Sequence, residues 1–571
     1  MKLHFLTTAH NSLSQRLLIE LTERGHKVSV AIASSEEAII NSVEEQAPDL
    51  VIAPMLKIKI PQAICAKHTC LIVHPGILGD RGPSSLDWAI AMGEKTWGVS
   101  ILQAAEEFDA GPVWATRTFP LTGAASKSSL YRQEVTEAAV AGVLEAVAKF
   151  ESRQFRPEPL DYSQITVRGQ FRPVMRQHDR AIDWGRDSTA VIARKIDAAD
   201  SAPGVLDTLF GSPYCLFGAH PDDQLRGTPG QLLAQRDGAV CVATIDGAIW
   251  ISHLKPKVDA EGGGIKLPSA MALGVRAERL PHSALPANTK TNHRTFREIR
   301  YDEQDGVGYL SFDFYNGAMS TGQCNRLRNA FMFARRRPTK VIVLLGGRDF
   351  FSNGIHLNVI EAADDPALES WRNINAIDDL IHEILNTMSH FVIAGLRGNA
   401  GAGGAMLPLA ADYVYARKGV VLNPHYKTMG GLYGSEYWTY TLPRRVGKEK
   451  ALALTEDCRP VGMGEAKRIG FIDDCFGETV GAFEEALMSR AQGLANNQNF
   501  WQLLREKHDK RLRDKQAKPL AAYRAEELKI MHDNFYGADR AYHIARQDFV
   551  YKGRPPRAPE KPAQNLLSAC S

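Results

Sequence analysis

Short runs of consecutive apolar residues, separated by stretches with apolar positions three or four apart, fill the first 120 residues of the chain. The apolar runs at 3–8, 27–33, 49–55 and 69–75 predict strands. Between the first two, Leu13, Leu17, Leu18 and Leu21 recur near helical spacing before Gly25, which predicts a helix and its end. Ser34 and Glu37 fit a capping box for a second helix. This alternation predicts a doubly wound parallel sheet, in which ligands sit at the carboxyl ends of strands. His74, at the end of the fourth run, therefore draws attention. No glycine fingerprint follows the first strand, so a dinucleotide site is not supported.

The pattern then changes. Residues 151–170 are polar and less periodic and read as a linker. The β-like runs at 239–245 and 248–254 suggest a small β-rich domain. A second linker at 279–294 is rich in Pro, Ala and polar residues. Beyond it, strands at 307–314, 340–347 and 390–398 alternate with helical segments. From about 480 the chain reads as helical, and it ends in a Pro- and Arg-rich tail at 551–562. The expected organisation is a Rossmann-like α/β domain at 1–155, a β-rich domain at 160–285, an α/β domain at 297–480, and a helical C-terminal region with its tail at 481–571.

Composition narrows the function classes. The 571 residues are 44% hydrophobic and 23% charged, as in an ordinary soluble globular protein. A formal net charge of +3 gives no support for nucleic-acid binding. No apolar run is long enough to span a bilayer and no signal-peptide pattern opens the chain, so membrane partners are not expected. The eight cysteines are scattered without a CxxC pair, which points to a reducing cytoplasm. Cys65, His68 and Cys70 lie close together but lack a second pair at a suitable spacing, so no metal is expected.

Two regions carry candidate chemistry. His74 is followed by a loop holding Gly76, Gly79, Gly82 and Pro83, and a later strand leads to Asp109-Ala110-Gly111. A histidine oriented by a carboxylate can move a proton during acyl transfer. On spacing alone, a strand-end His and an Asp-Ala-Gly turn are also ordinary structural punctuation. In the second region, the turns at 351–357 and 398–406 each follow an apolar strand. Two such glycine turns can aim two backbone N–H groups at one carbonyl oxygen.

The wording of these motifs adds a resemblance. His74-Pro75-Gly76-Ile77-Leu78, Arg81-Gly82-Pro83, Gly98-Val99-Ser100-Ile101 and Asp109-Ala110-Gly111 resemble the folate-dependent formyltransferases that act on methionyl-tRNA and glycinamide ribonucleotide. Residues 180–184 resemble the start of the C-terminal domain of the methionyl-tRNA type, so the likeness covers roughly 1–285. It implies His74 as the proton-handling residue, Asp109 as its orienting partner, and Gln15, Arg81 and Gly82 near the folate. Ile72 stands where that family's signature has an oxyanion-stabilising Asn, which implies a substitute group or a more reactive acceptor such as a thiolate.

Residues 297–480 resemble the enoyl-CoA hydratase/isomerase (crotonase) family, with its ββα spiral fold. The resemblance implies Ile355 and Gly403 as oxyanion N–H donors to a coenzyme A (CoA) thioester. The family's two glutamates do not carry over: Met406 and His425 stand in their places, so hydration is expected to be lost. Tyr426 and Glu436 lie nearby as replacement catalytic groups, and Arg554 and Arg557 of the tail are candidates for CoA phosphates.

The two halves in this order resemble the HypX/HoxX family of [NiFe]-hydrogenase maturation factors. That resemblance implies carbon monoxide production from the formyl group of 10-formyltetrahydrofolate by way of formyl-CoA, with CoA as carrier and other hydrogenase maturation proteins as partners. A formyltransferase or hydrolase with a crotonase scaffold, and a non-enzymatic formyl-CoA carrier, stay open as alternatives.

Overall fold

A computed structural model describes residues 1–121, 125–258 and 264–552. The tail candidates Arg554 and Arg557 lie outside the described residues.

The N-terminal sheet runs, edge to edge, Lys27–Ile32, Lys2–Thr7, Leu50–Met55, Cys70–His74, Thr96–Gln103 and Val113–Pro120. The first four strands are parallel, joined by helical crossovers. Leu3 and Phe5 pack on Leu13, Leu17 and Leu21 of helix Ser12–Glu23, whereas Leu6, Val51 and Ala53 pack on Ile39 and Val43 of helix Glu36–Gln46. Alternate side chains thus feed cores on both faces. The expected all-parallel sheet is corrected at its far edge, because Thr96–Gln103 runs antiparallel to both neighbours. Its connection to Val113–Pro120 is a short loop, and only antiparallel strands can be joined that way. A second correction is the cap of helix Glu36–Gln46: Ser35, not Ser34, accepts the hydrogen bond from Ala38 N.

The polar stretch after residue 151 docks against the first site. Arg81 bridges Phe171, and Gly169 N donates to Leu78 O. Beyond it, five antiparallel strands in the order Val205–Leu209, Ser212–Asp222, Ala248–Pro256, Ala239–Ala243 and Leu232–Arg236 form the β-rich part. Helix Thr189–Ala199 covers one face through Ile192 and Ile196.

The third part is a spiral. Strands Ile299–Gln304, Val307–Phe312, Val341–Leu345, Phe391–Leu396, Tyr413–Arg417 and Asp474–Phe476 form a large sheet, parallel from the second strand on. Three of them continue directly into the short strands Phe350–Ser352, Asn399–Gly401 and Val421–Asn423 of a smaller sheet. Each spiral turn therefore delivers a loop to the same edge. The C-terminal helices share this core: Met531, Phe535 and Tyr542 join it, while Phe483, Leu487 and Phe500 pack behind Val341, Val343 and Phe391. Among the described residues no helix is long and apolar enough to cross a membrane.

Polar contacts tie the first part to the third. Arg132 reaches Asp349 at 3.0 Å and Asn316 at 3.0 Å. Buried Arg417 reaches Glu137 at 2.9 Å and Gln133 at 3.2 Å. Stripping its partners would strand a charge out of water, at a cost of about 3–5 kcal/mol.

Candidate active sites and the cavity between them

His74 sits at the carboxyl end of its strand, 3% exposed. Its ring lies between two carboxylates. Nδ1 is 3.4 Å from Asp109 Oδ2, and Nε2 is 3.2 Å from Asp80 Oδ1. Asp109 holds a left-handed backbone with φ 56° and accepts from Gly82 N at 3.3 Å. Close approach is built in at Gly76, where a Cβ would come within 2.3 Å of His74 Nε2. Arg81 pairs with Glu107, and Gly82 backs onto the carbonyl of Arg172. Ile72 is two positions before His74 on the same strand, so the two side chains share a sheet face.

Asp80 is the group that sequence reasoning missed. It is fully buried and also accepts from Arg172 Nε at 2.8 Å. Arg172 follows the docked linker and lies over the Trp97 ring at 4.9 Å. The imidazole is thus oriented from both nitrogens, and the linker closes the back of the site.

In the second region the two glycine turns interlock. Gly354, at φ 74°, would place a Cβ 3.3 Å from Gly403 N, and Gly404 abuts the carbonyl of Ser352. Ile355 and Gly403 are therefore brought to one place, as the motif reading expected of an oxyanion pair. Met406 is fully buried in the core and offers no proton-transfer group. His425 lies beside Gly401 and its Nδ1 contacts Asn423 O at 2.8 Å. Tyr426 is buried with its hydroxyl unpaired.

Glu436 is 3% exposed and pressed against Gly403, where a Cβ would meet its Oε1 at 1.9 Å. Burial, then the Asp378 charge, push its carboxyl up to about 8, against the Ser435 N–H that stabilises the ionised form. Asp378 and Glu527 also stand beside it in the core, and neither was singled out in the sequence. A readable signal existed: Asp378 falls on the apolar stripe Ile374, Ile377, Ile381, and Glu527 lies four residues before Met531.

The spiral's turns open on a cavity of about 930 Å³ that residues of the first and β-rich parts also line. Gln15 lines it from the first part, and Ile355, Gly403, Tyr426 and Glu436 line it from the spiral. Arg132, Lys255, Lys257, Lys266 and Lys552 place cations on its wall. Lys266 donates to Ser201 O at 2.7 Å, and burial lowers its ammonium to about 8. His74, Asp109, Arg81 and Gly82 are not on that wall. Among the described residues no three His, Cys, Asp or Glu side chains gather as a metal site.

Comparison with known proteins agrees with this layout. A formyl transferase model matches residues 22–147, a formyl transferase C-terminal domain model matches 174–261, and an enoyl-CoA hydratase/isomerase model matches 302–556. Methionyl-tRNA formyltransferase from Roseiflexus castenholzii is 32% identical over 187 residues, which is 32% of this chain and 58% of that protein. Hydrogenase maturation factor HoxX from Bradyrhizobium diazoefficiens is 47% identical over 563 residues, 98% of this chain and 96% of that one. The crystal structure of HypX from Aquifex aeolicus in complex with tetrahydrofolic acid superposes with a TM-score of 0.93 at 48% identity, covering 98% of this chain and 97% of that one. With identity sustained across both halves, the chain belongs to the HypX/HoxX family of hydrogenase maturation factors, a formyltransferase module followed by a crotonase-like module.

Proposed function

We propose that this chain makes carbon monoxide from the formyl group of 10-formyltetrahydrofolate, using CoA as the carrier between its two modules. The observation that carries the reading is a cavity walled by residues of both modules, among them Gln15 of the first and Glu436 of the second. The folate half is supported by the formyltransferase match and by the related Aquifex protein's complex with tetrahydrofolic acid. The cations on the wall suit the phosphates of a CoA arm. The paired turns at Ile355 and Gly403 suit its thioester carbonyl.

In the first step, His74 takes the proton from the attacking CoA thiol on Nδ1, which turns from its longer 3.4 Å contact with Asp109 to do so, while Asp80 holds Nε2–H and fixes the ring. The carbon–sulfur bond forms as the folate nitrogen leaves with the proton that His74 returns. A thiolate acceptor offsets the missing Asn at Ile72, being more nucleophilic than an amine. In the second step, formyl-CoA has no α-carbon, so neither hydration nor enolisation is open to it. Ile355 and Gly403 polarise its carbonyl, and the Tyr426 hydroxyl is a further buried donor without a partner. Glu436 removes the formyl proton, the carbon–sulfur bond breaks, and CO and CoA thiolate part. The thiolate then takes the proton back from Glu436, so atoms and charge balance.

The test is to supply formyltetrahydrofolate and CoA to the purified protein and trap CO with haemoglobin while following the folate product. Glu436→Gln and Tyr426→Phe should leave folate deformylation largely intact and lower CO by at least about tenfold, the lower end of what losing a general base costs. CO formed without CoA, or at the parental rate by both variants, would refute the relay. Formate in place of CO would favour a hydrolase with a crotonase scaffold, and tight formyl-CoA binding without turnover would favour a carrier.

A further inference from the structure

The loop that carries Glu436 is held by a helix far along the chain. Tyr433 N donates to Asn534 Oδ1 at 3.1 Å, and Gly434 N approaches Met531 Sδ at 3.2 Å. Tyr437 N and Thr439 N donate to the two oxygens of Glu527 at 3.0 and 2.8 Å. All three partners, Asn534, Met531 and Glu527, lie on helix Leu520–Tyr536. From the other side, Asp378 of helix Pro366–Leu385 accepts from Glu436 N at 2.9 Å. Glu436 and Tyr437 both hold left-handed backbones, at φ 61° and 54°. Non-glycine residues in such conformations cost about 1–3 kcal/mol each and persist only where their surroundings enforce them.

Ser435 links the carboxyls. Its Oγ lies 2.8 Å from Asp378 Oδ2 and 3.1 Å from Glu527 Oε2. A hydroxyl has one proton, so it can donate to only one of these oxygens at a time. Both contacts are hydrogen bonds only when the other carboxyl carries a proton of its own. Three buried carboxyls therefore surround one serine, the third being Glu436, which accepts from Ser435 N at 2.9 Å.

We infer that Asp378 and Glu527 are positioning residues that set the Glu436 carboxyl over Gly403, making the C-terminal helices part of the second site. The inference rests on Glu436 acting there as proposed above. Asp378 and Glu527 are pushed up to about 6 and about 8, each first by burial. The groups facing Glu436 are these two carboxyls, Tyr426 and the Cys324 thiol, and Arg524 stands 3.6 Å from Asp378. Removing the Asp378 charge takes a like charge from beside Glu436, so Glu436 releases its proton at lower pH. A base works above its pKa, so the acid limb of CO formation moves down with it.

Asp378→Asn suits the geometry. The amide oxygen can still accept from Glu436 N, and the amide nitrogen can donate to Ser435 Oγ, which then donates to Glu527. The measurement is an infrared titration of the protonated-carboxyl band that is missing from Glu436→Gln, made without any formyl donor. The midpoint should lie near 8 in the parent. It should fall by about one pH unit in Asp378→Asn, a modest effect for a neighbouring charge. Glu527→Gln removes the second charge and should move it the same way. The pH profile of CO formation should shift in parallel. An unmoved midpoint in either variant that keeps the parental melting transition overturns the inference. Absence of CO from the parent would refute the decarbonylation reading alone, because the infrared midpoint needs no turnover.

Discussion

Gly403→Ala tests the second site at its tightest point. Gly403 does not occupy the left-handed region, so alanine suits its backbone. The added Cβ would fall 1.9 Å from Glu436 Oε1 and 2.5 Å from its Cδ. Restoring an ordinary contact requires the carboxyl to retreat by roughly 1.5 Å, and a displacement of even 1 Å can cost about a hundredfold in rate. That is about 2.7 kcal/mol of transition-state stabilisation. The pinned loop from Tyr433 to Thr439 limits how the side chain can escape, so overpacking should also cost about 1–3 kcal/mol of stability. The assay follows CO and folate product together on one sample, with a melting curve as the folding control. CO should fall about a hundredfold while folate deformylation, which rests on His74, keeps its parental rate. If a folded Gly403→Ala makes CO at the parental rate, the apposition of Gly403 and Glu436 has no part in the chemistry. If both products fall together, the variant has damaged the cavity as a whole and the two-site division fails.

His74→Ala should abolish formyl loss from the folate and leave CoA affinity of the second module unchanged, measured by calorimetry. Asp109→Asn and Asp80→Asn should each slow that loss by about 10–100-fold. Asp80→Asn should lower the melting temperature further, because it takes the nearer carboxylate from the buried Arg172 guanidinium and leaves it only Glu94 at 3.6 Å. Crotonyl-CoA should bind without being hydrated, since Met406 and His425 stand where both hydratase carboxylates would. Turnover within about tenfold of an ordinary hydratase would sink that reading of the second site.

Local pattern made the elements legible, and the misses share a cause. The central strands, such as Leu50–Met55, Val341–Leu345 and Phe391–Leu396, are continuous apolar runs that can be read without their neighbours, whereas edge strands such as Ile299–Gln304 are mostly polar. Direction cannot: Thr96–Gln103 has the composition of a parallel strand, and only the connections on either side decide which way it runs. His74, Asp109, Ile355 and Gly403 could be singled out because the wording of their glycine turns resembles two known families, not from spacing alone. Asp80 was not, since its partner Arg172 arrives from 92 residues along the chain, just beyond the stretch that reads as linker. Ser34 reads as the cap in place of Ser35 because a cap is fixed by backbone geometry, which two neighbouring serines do not reveal in sequence. Asp378 and Glu527 are held to the Glu436 loop across 58 and 90 residues, a pairing that only the packed helices define.

The joint between the modules bears on the same chemistry. Arg132 both pins Asp349 and Asn316 of the spiral and faces the cavity. Tyr315 of the spiral stacks on His253 of the β-rich part at 4.2 Å and reaches Asp200 through its hydroxyl. The cavity wall is therefore made by docking, and neither half alone encloses the space. On the proposed relay this matters for rate. A formyl thioester released to solvent would have to find a second protein at its bulk concentration. One held on a tethered arm in a shared cavity meets the second site at an effective concentration in the millimolar range. Burial also strengthens every dipole aimed at the thioester carbonyl, because little water is left to screen it. Loosening the joint at Arg132 or Arg417 should therefore uncouple the two steps before it unfolds either module.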